Sequence, residues 1–257
     1  MDGAGNRELR RRGRGAAARW RNDSLEARLA HPIFAPFARW LGLTTLDELN
    51  AAAAGICTES GRPIRFVPPA GERGPYELRV HESGRVETRP ENLHDWFNAL
   101  CWLAFPRTKA RINAMHAAAI PHEKGQRGRL RDLLTIFDEG GALIVCADDE
   151  LNQLVRDFRW KELFWMHRAR VKEAMRFVVL GHAVLEQALK PWPGITCKAI
   201  FAVPGTDLDA HAAAWLLKGT SPRELAPLPV FGYPGWADNA RAEFYDDERY
   251  FRQGKTG

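Results

Sequence analysis

The chain has 257 residues, 45% hydrophobic and 27% charged, enough for one sizeable core, and it has no run of about eighteen apolar residues that could span a membrane. Its net charge of +5 is concentrated in residues 1–22, where seven Arg meet only Asp2 and Glu8, so the rest sums to zero. A strongly basic folded body is thereby excluded, and four cysteines without a CxxC pair exclude a thiolate zinc knuckle, which points to a cytoplasmic protein with reduced, buried thiols.

In chain order, residues 1–25 have the composition of a disordered Arg-rich tail, suited to non-specific contact with nucleic-acid phosphates and lacking the apolar run of a secretory signal. Residues 26–257 are expected to form one globular domain. Asp23–Ala30 and Phe34–Gly42 predict short helices separated by His31-Pro32. Thr45-Leu46-Asp47-Glu48 is a capping box that opens a helix ended by Gly55. Pro63–Val67 predicts a strand. Tyr76–Val80 and Arg85–Arg89, either side of Glu82-Ser83-Gly84, predict an antiparallel hairpin. Asn92–Ala104 predicts a helix, broken at Phe105-Pro106, where another starts and runs to about Ala119.

Leu130–Phe137 predicts a helix stopped by Gly140-Gly141, and Ala142–Cys146 a strand buried on both faces. Asp148-Asp149-Glu150 opens an acid-capped helix, and Trp160–Lys172 predicts a further one. Phe177–Leu180 is either a strand or the start of a helix through His182 to Leu189. Ile195–Val203 predicts a strand and Asp207–Leu217 a helix. Beyond Ser221, four prolines predict an extended surface segment anchored by Phe231, Tyr233 and Trp236. Helices outnumber strands without alternating with them, which gives an α+β class, mostly helical, with a small antiparallel β element.

The Asn92 helix carries the strongest functional signal. It is apolar almost all round, yet His94, Asp95 and Asn98 fall in one sector with Trp102 and Phe105. A solvated stripe would carry Lys or Glu beside such groups, so a His, a carboxylate and an amide are expected in an apolar setting where each needs a partner. Asp95 is equally placed to cap the helix begun by Asn92. In the next helix Lys109, Asn113 and His116 share one face and can meet the first trio, whereas Arg107 lies on another. His94 is the expected acid/base, Asp95 its orienter or a metal ligand, Asn98 a positioning group and His116 a second-tier catalytic candidate, with Arg107, Lys109, Asn113 and His182 the expected binders of a small anionic ligand.

Asp138 and Glu139 end a helix, where negative charge opposes the dipole, so an Arg, a Lys or a metal ion should offset them. Together with Asp132 they are candidate ligands for Mg²⁺, Mn²⁺ or Zn²⁺ alongside His94 or His116, although no HExxH-type motif is present. His182 follows Gly181 in an apolar run, with Glu186 four residues on to fix its tautomer. On the Trp160 helix, Lys161, Trp165, Arg168 and Lys172 form a basic, aromatic strip suited to nucleic acid or a protein partner. The absence of GxGxxG, Walker and GxSxG patterns disfavours dinucleotide enzymes, P-loop ATPases and α/β-hydrolases.

The blocks at 86–116, 131–145, 156–165, 180–189 and 228–252 together resemble a family of Gram-negative bacterial proteins grouped as a domain of unknown function, family 3025. The resemblance implies a single cytoplasmic bacterial domain and carries over no activity or catalytic residue. If the protein is an enzyme, the residues point to a hydrolase or transferase acting on a phosphate- or carboxylate-bearing substrate. The alternative is a binding module using the tail and the 160–172 strip.

Overall fold

The computed structural model describes residues 23–253 apart from 72, 124–126 and 193, so the expected disorder of the tail lies outside the described residues except at its last positions. Its helices are α1 (Asp23–Leu29), α2 (Leu46–Ala52), α3 (Tyr76–Ser83), α4 (Leu93–Ala104), α5 (Pro106–Ala119), α6 (Arg129–Gly140), α7 (Asp149–Arg156), α8 (Arg168–Ala174), α9 (His182–Ala188) and α10 (Leu208–Leu216). Its strands are β1 (Arg65–Val67), β2 (Arg85–Glu87), β3 (Gly141–Cys146), β4 (Met175–Val179), β5 (Thr196–Ala202) and β6 (Ala226–Pro229). The protein is α+β and mostly helical. No described helix is long and apolar enough to cross a membrane.

The main sheet has the order β4-β3-β5-β6. β3 pairs antiparallel with β4 and parallel with β5, and all six of its residues are buried, as its uniform apolar composition requires. β6 lies at the edge, the one place where Pro227 and Pro229 cost no ladder bond to a second neighbour. One cluster of buried apolar side chains runs from Leu25 to Phe251, including the stacked rings of Phe34 and Phe97.

Three expectations fail for local reasons. The hairpin over 76–89 does not form: Tyr76–Ser83 is helical and Gly84, at φ 72°, is its left-handed C-cap. The Glu82-Ser83-Gly84 turn signal is therefore a helix stop, and β1 and β2 pair in parallel with α3 crossing between them. The short segment after His31 is a 3-10 helix, Pro32–Phe37, with Pro36 inside it. Residues 160–172 are not one helix. A π-helical turn over Glu162–Met166 interrupts the helix before α8, and two residues of the basic strip are engaged by the C-terminal segment. Lys161 pairs with Asp246 at 2.5 Å, and Arg168 donates to Asn239 and the Tyr245 hydroxyl, holding the C-terminal segment down. Cys57 also departs from expectation in being exposed, whereas Cys101, Cys146 and Cys197 are buried thiols.

Candidate functional site

Helices α3, α4, α5, α6 and the start of α9 enclose a cavity of about 560 Å³. Its position follows from local sequence. Asn92 caps α4 by accepting from the Asp95 amide at 2.9 Å, so His94, Asn98 and Trp102 rise along one face. Pro106 starts α5 directly, and Asp209 of α10 caps it from outside by accepting from the Arg107 and Thr108 amides. Lys109, Asn113 and His116 then face α4 across the cavity.

The Gly140-Gly141 stop of α6 brings the third wall in. The Gly181 amide donates to the Gly141 carbonyl at 2.9 Å, and a Cβ at Gly181 would lie 2.4 Å from Gly140 Cα. Because the obstructing atoms are backbone, only glycine lets α9 start against the end of α6. Gly181→Ala is expected to destabilise the fold by about 1–3 kcal/mol and to displace His182, measurable as a lower Tm. At this junction His182 Nδ1 donates to the Asp138 carbonyl at 2.8 Å, satisfying a helix-end acceptor.

Lys109 is nearly buried and is fully engaged. Its Nζ donates to Asn98 Oδ1 at 2.8 Å, pairs with Asp138 Oδ1, and lies 5.8 Å from the Trp102 ring centroid. Burial pushes the Asp138 carboxyl up, but Lys109, His182 and His116 outweigh that and hold it below the usual carboxylate range. At Glu139 the balance is reversed: burial and the neighbouring Asp138 charge raise its pKa against the opposing pull of His94 and Lys109. Burial and Asp138 likewise raise the Tyr76 phenol, against a hydrogen bond with Asn98. Burial is also the main cause that depresses His182 to about 4.

Of the candidates read from sequence, His94, Asp95, Asn98, Lys109, Asn113, His116, Asp138, Glu139 and His182 line this one cavity. Two do not. Arg107 lies outside the lining, paired with Asp207 at 2.8 Å. Asp132 lies outside, 3.5 Å from Arg127, and joins no ligand cluster among the described residues. Asp95 neither orients His94 nor caps its own helix; it accepts from the Arg89 backbone, Nε and Nη2 at 2.8–2.9 Å. Glu186 serves His94, not His182, with 3.0 Å between His94 Nδ1 and its Oε2.

The sequence reading missed Arg89 and Glu77. Arg89 stands six residues before the acid it holds, a spacing no helical pattern links. The Glu77 carbonyl accepts from Asn113 at 2.8 Å, while Asn113 Oδ1 is buried without a partner. Arg131 is the third omission. It ties His116 Nδ1 (3.1 Å) to Glu123 (2.8 Å) and Glu77 (3.2 Å). His94, His182 and Glu139 are the residues able to hold a metal ion among those described, their ligand atoms lying within 4.8 Å of one another.

A family model described as a protein of unknown function (DUF3025) matches residues 64–255. The chain belongs to that family. Every residue lining the cavity, from Pro69 to His182, falls within the DUF3025 match, and the Arg-rich start falls outside it. No curated protein and no solved structure matches the chain.

Proposed function

We propose that the cavity is the active site of a hydrolase or transferase acting on a small phosphate- or carboxylate-bearing molecule, with His116 donating to a substrate oxygen. The pinning of His116 carries this reading. Arg131 Nε donates to His116 Nδ1, and a guanidinium is only ever a donor, so Nδ1 holds a lone pair. The proton of the neutral ring is therefore on Nε2, which has no partner among the described residues and belongs to the cavity lining.

Burial, the largest cause, lowers the His116 pKa to about 4, with Arg131 and Arg127 adding and Glu77 and Asp138 opposing. An imidazole in that state polarises an oxygen without giving up a proton, the role of a neutral electrophilic histidine. Trp102 and Ile112 supply apolar wall, which strengthens such a bond by excluding water.

The ¹⁵N spectrum of the imidazole groups tests this. His116 is expected to show a bare Nδ1 and a protonated Nε2, without titrating between about pH 5 and 8, and inorganic phosphate or acetate should shift its Nε2–H resonance. A His116 that titrates normally and ignores both anions would refute the reading. The same pinning sets a stability trend. The unfolded chain takes up this proton near the ordinary histidine pKa of 6.5, the folded one only near 4, so stability falls as pH drops through that window. His116→Gln, which keeps a donor near the Nε2 position, should flatten the fall of Tm between those limits.

The reading leaves one electrostatic deficit. Three cations (Arg89, Lys109, Arg127) line the cavity and each is already paired, while Arg131 and Arg79, behind the lining, are taken up by Glu77 and Glu87, which leaves the Glu139 carboxylate unmatched by a Lys or Arg among the described residues. An anionic substrate needs a further positive charge.

A further inference from the structure

The supply of that charge is written in two imidazoles. His94 Nδ1 faces the Glu186 carboxylate at 3.0 Å, and His182 Nδ1 faces the Asp138 carbonyl at 2.8 Å. Both partners are acceptors only, so both Nδ1 atoms carry the ring proton. Each neutral ring is left with a bare lone pair on Nε2. The two Nε2 atoms stand 3.1 Å apart, with the rings nearly perpendicular at 70°. Two lone pairs at that distance repel unless something positive lies between them.

Glu139 completes the set, its Oε2 lying 3.5 Å from His182 Nε2. Two imidazoles bound at about 2.0–2.1 Å to one tetrahedral ion stand roughly 3.3 Å apart, close to the observed separation. We propose that His94, His182 and Glu139 bind one divalent transition-metal ion, zinc being the best match, with its remaining position open to the cavity. This rests on the cavity being a ligand site, as read above, but not on which molecule enters it.

Three observations favour an ion over a lone shared proton. The ligands come from three helices, α4, α6 and α9, of which α6 and α9 are locked together at Gly140-Gly141 and Gly181. Each histidine already has the outer acceptor that metal-binding imidazoles use to fix their orientation: Glu186 for one, the Asp138 carbonyl for the other. A single shared proton supplies one positive charge, which Glu139 at 3.5 Å already balances, whereas a doubly charged ion leaves charge over for an anionic substrate. Two histidines and one carboxylate with an open position are the ligand set of catalytic sites, in which the ion activates a water molecule or polarises a substrate oxygen.

The test is calorimetric titration of the metal-stripped full chain with zinc chloride, and separately with manganese chloride. One zinc site per chain is expected. His94→Gln and Glu139→Gln, at the two more exposed positions, should each weaken it by about a hundredfold, and Glu186→Gln by about tenfold through the outer shell. Circular dichroism confirms that each variant is folded. Zinc that does not bind, or that binds equally to the His94 and Glu139 variants, overturns the proposal. The phosphate-induced shift at His116, recorded on the same samples, separates the two readings. If that shift persists without any zinc site, the metal proposal alone fails; if zinc binds as expected and His116 ignores phosphate, only the substrate reading fails.

Discussion

Lys109→Met is expected to cost about 3–5 kcal/mol of folding stability, a large share of the total for a domain of this size. The methionine fills similar space, so the loss is electrostatic. Lys109 neutralises Asp138 at the end of α6, where the helix dipole already disfavours a carboxylate, and it also takes up Asn98 Oδ1. Without it a largely buried carboxylate loses its ammonium partner. Lys109→Met combined with Asp138→Asn removes both charges and should recover a substantial part of the loss. Urea unfolding of the two variants measures this, and a single variant costing under about 1 kcal/mol would contradict the account.

Asn239→Leu should be comparably damaging, at about 3 kcal/mol or more, although it lies far from the cavity in sequence and bears no charge. Asn239 is completely buried. Its Nδ2 donates to the carbonyls of Phe231, Gly232 and Tyr233, and its Oδ1 accepts from Arg168 and Gly235. A leucine removes all five bonds at once and leaves the Phe231 carbonyl and the Gly235 amide without a partner among the described residues. Because that amide ties the C-terminal segment to Arg168, limited proteolysis beyond Ser221 should accelerate in the variant. Unchanged proteolysis and an unchanged Tm would show that the network does not hold the segment.

The α+β class and most elements are legible because their signals are local. Asn92, Asp148 and Asp207 each sit before a helix and cap it, and Gly140-Gly141 ends one. The failures are equally local ambiguities. Tyr76–Val80 satisfies both a strand alternation and an i, i+4 helical pair, and Gly84 suits both a hairpin and a C-cap. Nothing in the composition of 160–172 announces the π-helical turn, and the groups that engage Lys161 and Arg168 come from the distant C-terminal segment.

The cavity was legible as residue types and faces, not as pairings. Helical spacing places His94 with Asn98, and Lys109 with Asn113 and His116. It cannot show that Glu186, 92 residues away, holds His94, or that His182 meets His94 across 88. The exclusion of Arg107 follows from the same limit: its helix face is readable, but Asp207 and Asp209, which claim it, come from a distant segment. The offset expected for Asp138-Glu139 is met in half by Lys109, and the unmet half, Glu139, is the residue that turns toward the two histidines.

An anomalous difference map from crystals of the full chain grown with zinc bears most directly on this picture. The account predicts a peak about 2.0–2.2 Å from His94 Nε2, His182 Nε2 and a Glu139 carboxylate oxygen. Ordered imidazoles at 94 and 182 with no peak between them at saturating zinc, or zinc bound solely elsewhere on the molecule, would contradict it.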